Sequence, residues 1–179
     1  MKIEVRKPGI KLALMLGLLG ALSAQASEES HDDYVMIVYS DLSHGRTILR
    51  GEPEEVIARL SRKLDGQNGR VADQINLCVA YTKMKQIDLA TTHCDAAVAV
   101  SSRATERLRS SVAYRHKGMR AAMTDRAIAL SNRGVLHALH GESDKATELF
   151  EMAMSFEATE EYAENNLARL KSSLVESDS

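Results

Sequence analysis

Tryptophan is absent from this 179-residue chain, phenylalanine occurs twice, and aromatic residues make up only 4% of it. A core with so few large rings must be filled mainly by Leu, Ala, Val, Ile and Met, a mixture that favours helices over sheets. Proline is almost as scarce. Pro8 and Pro53 are the only two, so nothing after position 53 forces a helix to break. The two cysteines, Cys78 and Cys94, are not spaced as Cys-x-x-Cys, which argues against a catalytic redox pair. No Ser-His-Asp set, phosphate loop or Gly-x-Gly-x-x-Gly stretch occurs. Of the six histidines, only His137 and His140 share a helical face, and two histidines without a third ligand do not define a metal site. No cofactor or metal is expected, and a redox or metal-dependent enzyme is a remote alternative.

The first 26 residues follow a grammar of their own. Lys2, Arg6, Lys7 and Lys11 make a basic start, Leu12 to Leu22 is apolar, and Ala24-Gln25-Ala26 has the small-x-small form of a cleavage site. The apolar run is shorter than the roughly 20 residues needed to span a bilayer as a helix. Residues 1–26 are therefore expected to be a signal peptide and the protein to be exported, to the periplasm; a retained anchor is the alternative. Removing this segment takes away four basic residues and one acid, so the formal charge falls from -2 to -5. A mildly acidic protein is not built to neutralise phosphates, which argues against nucleic acid as a partner.

The remainder is long enough for one domain. Residues 27–41 are expected to be a mobile N-terminal segment or a short strand. Within them Tyr34 to Tyr39 is β-rich and apolar, too short to decide between a strand and the buried start of a helix. From Leu42 the pattern is helical, and 42–176 is taken as the helical domain, with a tail at 175–179.

An internal repeat organises this domain. Asn132-Arg133-Gly134 is followed by Gly141, Ala146, Phe150 and Ala153, small residues and one aromatic at the spacings of a helical hairpin. The segment 127–160 resembles a tetratricopeptide (TPR) repeat. On 71–104 the same template places Asn76, Cys78, Tyr81, Ala90, Cys94 and Ala97, with Lys85 where the other copy has its turn glycine. A degenerate copy covers 37–70, where Gly51, Val56 and Leu60 fit, and half a copy begins at Glu161 with Asn166 and Ala168. The family's Trp and its closing Pro are missing. The resemblance implies an all-α fold: a short α-solenoid of antiparallel helical hairpins, interrupted by an insert at 105–126 and closed by a capping helix at 161–174.

In an antiparallel helix pair, facing positions have a nearly constant sum. This sets Gly134 against Phe150, His137 against Ala146 and Leu130 against Ala153, each bulky side chain meeting a small one. In the 71–104 hairpin it sets Tyr81 against Ala90, Gln74 against Ala97, and Cys78 against Cys94. The repeat geometry thus implies a disulfide between Cys78 and Cys94, as suits an exported chain with two cysteines; two reduced cysteines acting as small core residues are the alternative.

Asn76, Asn132 and Asn166 recur at one point of the first helix of each unit. In proteins this chain resembles, first helices line a concave groove, and asparagines there hold the main chain of an extended peptide. The asparagine amide both donates and accepts, which matches a peptide unit. The neighbouring groove positions are Ile75, Val79, Ser131, Val135, Tyr162, Asn165 and Arg169. The resemblance implies a non-enzymatic interaction or scaffold module that binds a peptide or protein partner; solvated or capping asparagines are the bland alternative. The family's carboxylate-binding Lys and Arg are mostly missing from this face, so capture of a C-terminal carboxylate is not expected.

Across the insert and its flanks, Arg103, Arg107, Arg109, Arg115, Lys117, Arg120 and Arg126 stand against Glu106 and Asp125. Ser101 to His116 reads as an irregular or partly helical connection, and Lys117 to His140 as one long helix. This basic insert offers a second route to function, as an envelope-associated structural or assembly factor that contacts acidic groups or a membrane surface. A solvated mobile loop is the simpler reading.

Overall fold

The computed structural model describes residues 2–5, 34–64, 69–110, 117–156 and 160–177. Two short strands, β1 (Lys2–Val5) and β2 (Val35–Val38), precede seven helices. The helices are α1 (Gly45–Leu49), α2 (Pro53–Leu64), α3 (Val71–Lys83), α4 (Ile87–Ser110), α5 (Lys117–Leu139), α6 (Ser143–Met154) and α7 (Glu160–Ser177). The fold is all-helical in class, and from α1 onward each helix packs against the next in sequence. Most of the expected signal peptide, including the cleavage site, lies outside the described residues, as do 27–33, Arg115 and 178–179. Among the described residues no helix is long and apolar enough to cross a membrane.

Local chemistry explains the helix ends. Pro53 opens α2, where its fixed φ costs nothing and no amide is needed. Glu54 and Glu55 in its first turn, and Arg62 and Lys63 in its last, complement the helix dipole. Asp73 stands three residues into α3 and accepts from the Arg70 amide at 3.1 Å, satisfying one of the donors a helix start leaves over.

Helix α3 is enclosed: every residue from Ala72 to Thr82 is buried. It lies between α2 and α4 and also touches α5 and β2. A helix buried on all sides needs small neighbours, and α4 supplies them along one stripe of Ala90, Cys94, Ala97, Ser101 and Thr105. Cys78 Sγ and Cys94 Sγ stand at disulfide distance, 2.05 Å, with the Cα atoms 4.9 Å apart. In the next pair, a Cβ on Gly134 would come within 2.7 Å of the Phe150 ring, so only glycine lets α5 and α6 close over that ring.

Two expectations change. The connection at 101–116, expected to be irregular or partly helical, is regular helix through Ser110, where α4 ends, and the long helix expected from Lys117 is α5; the described extra residues lengthen two packed helices. The reason is that Ser101 and Thr105 continue the buried stripe of α4, and Ala122 and Thr124 are buried on α5. His137, expected in the core against Ala146, is only partly buried and pairs with the Glu142 carboxylate at the α5–α6 turn. Hydrogen bonds from Lys145, 2.8 Å away, and from His137 hold the Glu142 carboxyl down to about 2.

Strand β2 is the exception to the helical plan. Its four residues are all buried, and it packs against α3 and α5. Met36 and Val38 join one apolar cluster with Leu77, Val79 and Val135, while Ile37 joins another with Ile75, Ala97 and Ile128. The alternation of side chains along a strand feeds these two clusters from one short segment.

Candidate functional site

The three asparagines converge on this strand. Asn166 on α7 accepts from the Val35 N–H at 2.8 Å and donates to the Val35 carbonyl at 2.9 Å. Asn132 on α5 makes the same pair of bonds with Ile37, both at 2.8 Å. On α3, Asn76 accepts from the Tyr39 N–H at 2.9 Å and donates to the Tyr39 carbonyl at 3.1 Å. All three side chains are buried, and each satisfies the donor and the acceptor of one strand residue, as an adjoining strand would. The three alternate residues project to one edge of the strand because a strand's backbone groups alternate. The polypeptide held by the asparagines is therefore the chain's own segment 35–39, running against the order in which the three helices occur.

The turn that follows is tied to the same helix. Asn76 Nδ2 also donates to the Leu42 carbonyl at 2.9 Å and the Ser43 carbonyl at 3.1 Å. Ser43 and His44 both take left-handed backbone angles there, φ 52 and 60. The Ser43 hydroxyl donates to Asp73 Oδ1. Lys63 Nζ donates to both Asp73 oxygens at 3.0 and 2.9 Å. Burial acts to raise the Asp73 pKa, but the hydrogen bonds from Ser43, Lys63 and the Arg70 amide, with the Lys63 charge, outweigh it and leave the carboxyl below its usual value.

Gly45 completes the seat. A Cβ at this position would lie 2.0 Å from the Tyr39 carbonyl oxygen and 3.0 Å from Asn76 Nδ2. Only glycine lets the Tyr39 carbonyl reach its asparagine. Further along, the Tyr39 hydroxyl donates to Asp125 on α5, so the strand's end is held by side chain as well as main chain. Gly45, Asp73 and Asp125 were not among the expected site residues. An apolar face does not reveal them, because each acts on backbone or hydroxyl groups brought together by the fold.

The remaining expected positions divide. Val79 and Val135 are buried in the cluster that receives Met36 and Val38, and Tyr162 packs on the cluster that receives Ile37, together with Ile75. They lie under a strand that is already in place and do not line an open channel. Ser131 is buried, Asn165 is exposed, and Arg169 is half-buried with no hydrogen-bond partner for Nη1 among the described residues. Of the basic residues, Arg103, Arg107 and Arg109 are exposed near the end of α4, Arg120 is exposed near the start of α5, and Lys117 is the first residue of α5. A second polar cluster joins α3 to α4, where His93 Nδ1–H donates to Gln74 Oε1 at 2.7 Å and the imidazole stacks on Tyr81 with ring centres 5.2 Å apart. Burial lowers the His93 pKa. Among the described residues no group of three or more His, Cys, Asp and Glu side chains could hold a metal ion.

No family model matches the chain, and no curated protein and no solved structure matches it.

Proposed function

We propose that the chain is an exported, non-enzymatic interaction module: a short TPR-like α-solenoid whose first helices hold an extended polypeptide by its main chain, acting in the periplasm on a protein or peptide partner. The observation that supports this reading most is the asparagine ladder, three buried amides each bonding both backbone groups of alternate strand residues. Main-chain capture of this kind is a peptide-recognition mode, with affinity from the backbone and selectivity from alternate side chains. In this chain the seat is filled from within by residues 35–39, as a built-in ligand.

Ile37→Asp tests the seat. A charge at this buried position ejects the segment, and a synthetic peptide of residues 33–42 added in trans then raises the melting temperature of the variant in proportion to its occupancy. The same peptide N-methylated at Val35 and Ile37 has no effect. If the variant melts at one temperature with or without the unmodified peptide, the seat does not act as a peptide site.

A second reading draws on the exposed arginines. Arg107 and Arg109 at the end of α4, and Arg120 near the start of α5, lie toward the same end of one packed helix pair. This favours an envelope-associated factor that contacts phosphate groups. Binding to acidic vesicles that weakens with salt and is lost in the triple Arg→Gln variant tests it.

A further inference from the structure

Strand β2 has two edges, and the asparagines occupy only one. Val35, Ile37 and Tyr39 direct their N–H and C=O groups to Asn166, Asn132 and Asn76. The backbone groups of Met36 and Val38 must then point to the opposite edge. The described element on that edge is β1, which pairs with β2 in parallel from Lys2↔Val35 to Val5↔Val38. Met36 and Val38 are fully buried, and among the described residues nothing else bonds their backbone groups.

Strand β1 belongs to the basic start of the segment expected to be cleaved after Ala26. We infer that its place along Met36 and Val38 is a strand-addition site, and that in the exported chain an extended segment of a partner protein fills it, running parallel to β2. This rests on the proposed export and loss of residues 1–26, and on the asparagine seat that fixes β2. Loss of β1 leaves the backbone N–H and C=O groups of Met36 and Val38 without their strand partner, an open sheet edge that an incoming strand can pair. The far edge is held rigid by the asparagines, so β2 is already in the conformation an incoming strand requires, and little ordering remains to oppose binding.

The occupant's chemistry follows from what lies there. Lys2-Ile3-Glu4-Val5 alternates charged and β-branched residues without proline, and the partner segment is of the same kind: extended, alternating, and long enough to span Val35 to Val38. A second copy of the exported chain does not offer Lys2–Val5, because that copy has lost the same four residues.

The probe is a labelled synthetic peptide of residues 1–8, titrated into chain 27–179, which holds every described element except β1, and into the full chain. Saturable binding to 27–179 is expected, with roughly tenfold or greater weakening in the full chain, where residues 2–5 already fill the edge. On saturation, amide exchange at Met36 and Val38 should slow by about tenfold or more. A peptide N-methylated at Ile3, Glu4 and Val5 should not bind. The inference is overturned if the peptide fails to bind, if the N-methylated form binds equally, or if Met36 and Val38 are already slow in free 27–179. It is also overturned, in favour of self-association, if 27–179 dimerises and thereby shields the two amides. Val35 and Ile37 separate the two readings. Should they exchange as fast as Met36 in 27–179, the asparagine seat itself has failed; should they stay slow while the peptide is inert, only strand addition has failed.

Discussion

Asn132 closes a two-point hydrogen-bond ring on Ile37, a residue 95 positions earlier in the chain. Its amide replaces the neighbour that a strand would otherwise need, and it does so from the interior of a helix where asparagine is a poor helix former. The ring accounts for the residue: it is the partner of two backbone groups that have no access to water.

Truncating that partner leaves both groups buried and unbonded. Asn132→Ala is expected to destabilise the fold by about 2–5 kcal/mol, one desolvation penalty for the N–H and one for the C=O. Asn166→Ala, acting on Val35 in the same way, falls in the same range. Asn165→Ala, one residue away and exposed, should change stability by less than about 0.5 kcal/mol. Urea unfolding of the three variants checks the contrast, and equal effects at positions 165 and 166 would contradict the ladder.

Gly45 makes a sharper test of the same seat. A methyl there would be driven into the Tyr39 carbonyl, so Gly45→Ala must displace the turn and break the Asn76–Tyr39 bonds, at a cost of about 2–4 kcal/mol. Gly51 has positive φ, 86, but a Cβ there meets nothing. Gly51→Ala should cost only the left-handed penalty, about 1–2 kcal/mol. Amide exchange at Tyr39 distinguishes the two: it accelerates in the first variant and is unchanged in the second.

Much of this arrangement is legible before folding, and the illegible parts have physical reasons. Pairing of bulky with small residues marks Gly134 and Phe150 as facing, and the same rule brings Cys78 to Cys94, because close helix contact demands it at those positions. The recurrence of Asn at positions 76, 132 and 166 marks three equivalent sites, but a side-chain amide reads any peptide unit alike, so nothing in it says that the unit held belongs to residues 35–39. Tyr34 to Tyr39 is too short for periodicity to separate strand from helix. That α4 continues as regular helix through Ser110 is only half legible, as an irregular or partly helical stretch, because its buried stripe ends in Ser101 and Thr105, polar residues that look solvated while arginines surround them. Gly45 is invisible for a different reason: the atom that excludes a side chain there is a backbone oxygen.

Acid stability should carry the signature of Asp73. Its carboxyl is held below the usual value in the folded chain, so the unfolded chain takes up the proton first as pH falls. The contribution is complete above the unfolded pKa of about 3.9 and is lost as pH drops through the folded value. Asp73→Asn should lower stability at neutral pH and flatten the loss of stability below about pH 4. Denaturation midpoints between pH 7 and pH 2 for both proteins provide the measurement; parallel curves would show that Asp73 is not the group responsible.

Reduction of the Cys78–Cys94 pair reopens a loop with a sequence separation of 16. Loop-closure entropy places the loss near 3 kcal/mol. Cys78→Ala/Cys94→Ala should show the same decrease without reductant, since alanine suits the packed stripe of α4, and adding reductant should lower the stability of the native chain alone. Chemical denaturation with and without reductant reads both.

Lys85 and Gly141 close equivalent helix ends, α3 and α5, with φ of 56 and 73. In both turns an amide just past the helix reaches back into it: Gln86 N–H to the Tyr81 carbonyl at 3.0 Å, and Glu142 N–H to the His137 carbonyl at 3.0 Å. The geometry is one that glycine adopts freely, whereas a side chain crowds its own backbone. Lysine at position 85 therefore carries a local penalty that its counterpart lacks. Its side chain is exposed, so removing it sacrifices no packing. Lys85→Gly is expected to stabilise the chain by up to about 1 kcal/mol, the left-handed penalty less the entropy glycine adds to the unfolded state. Gly141→Lys should destabilise it by a similar amount. A rise in melting temperature for the first variant and a fall for the second is the expected pattern; a fall in both would mean that the two turns are not equivalent.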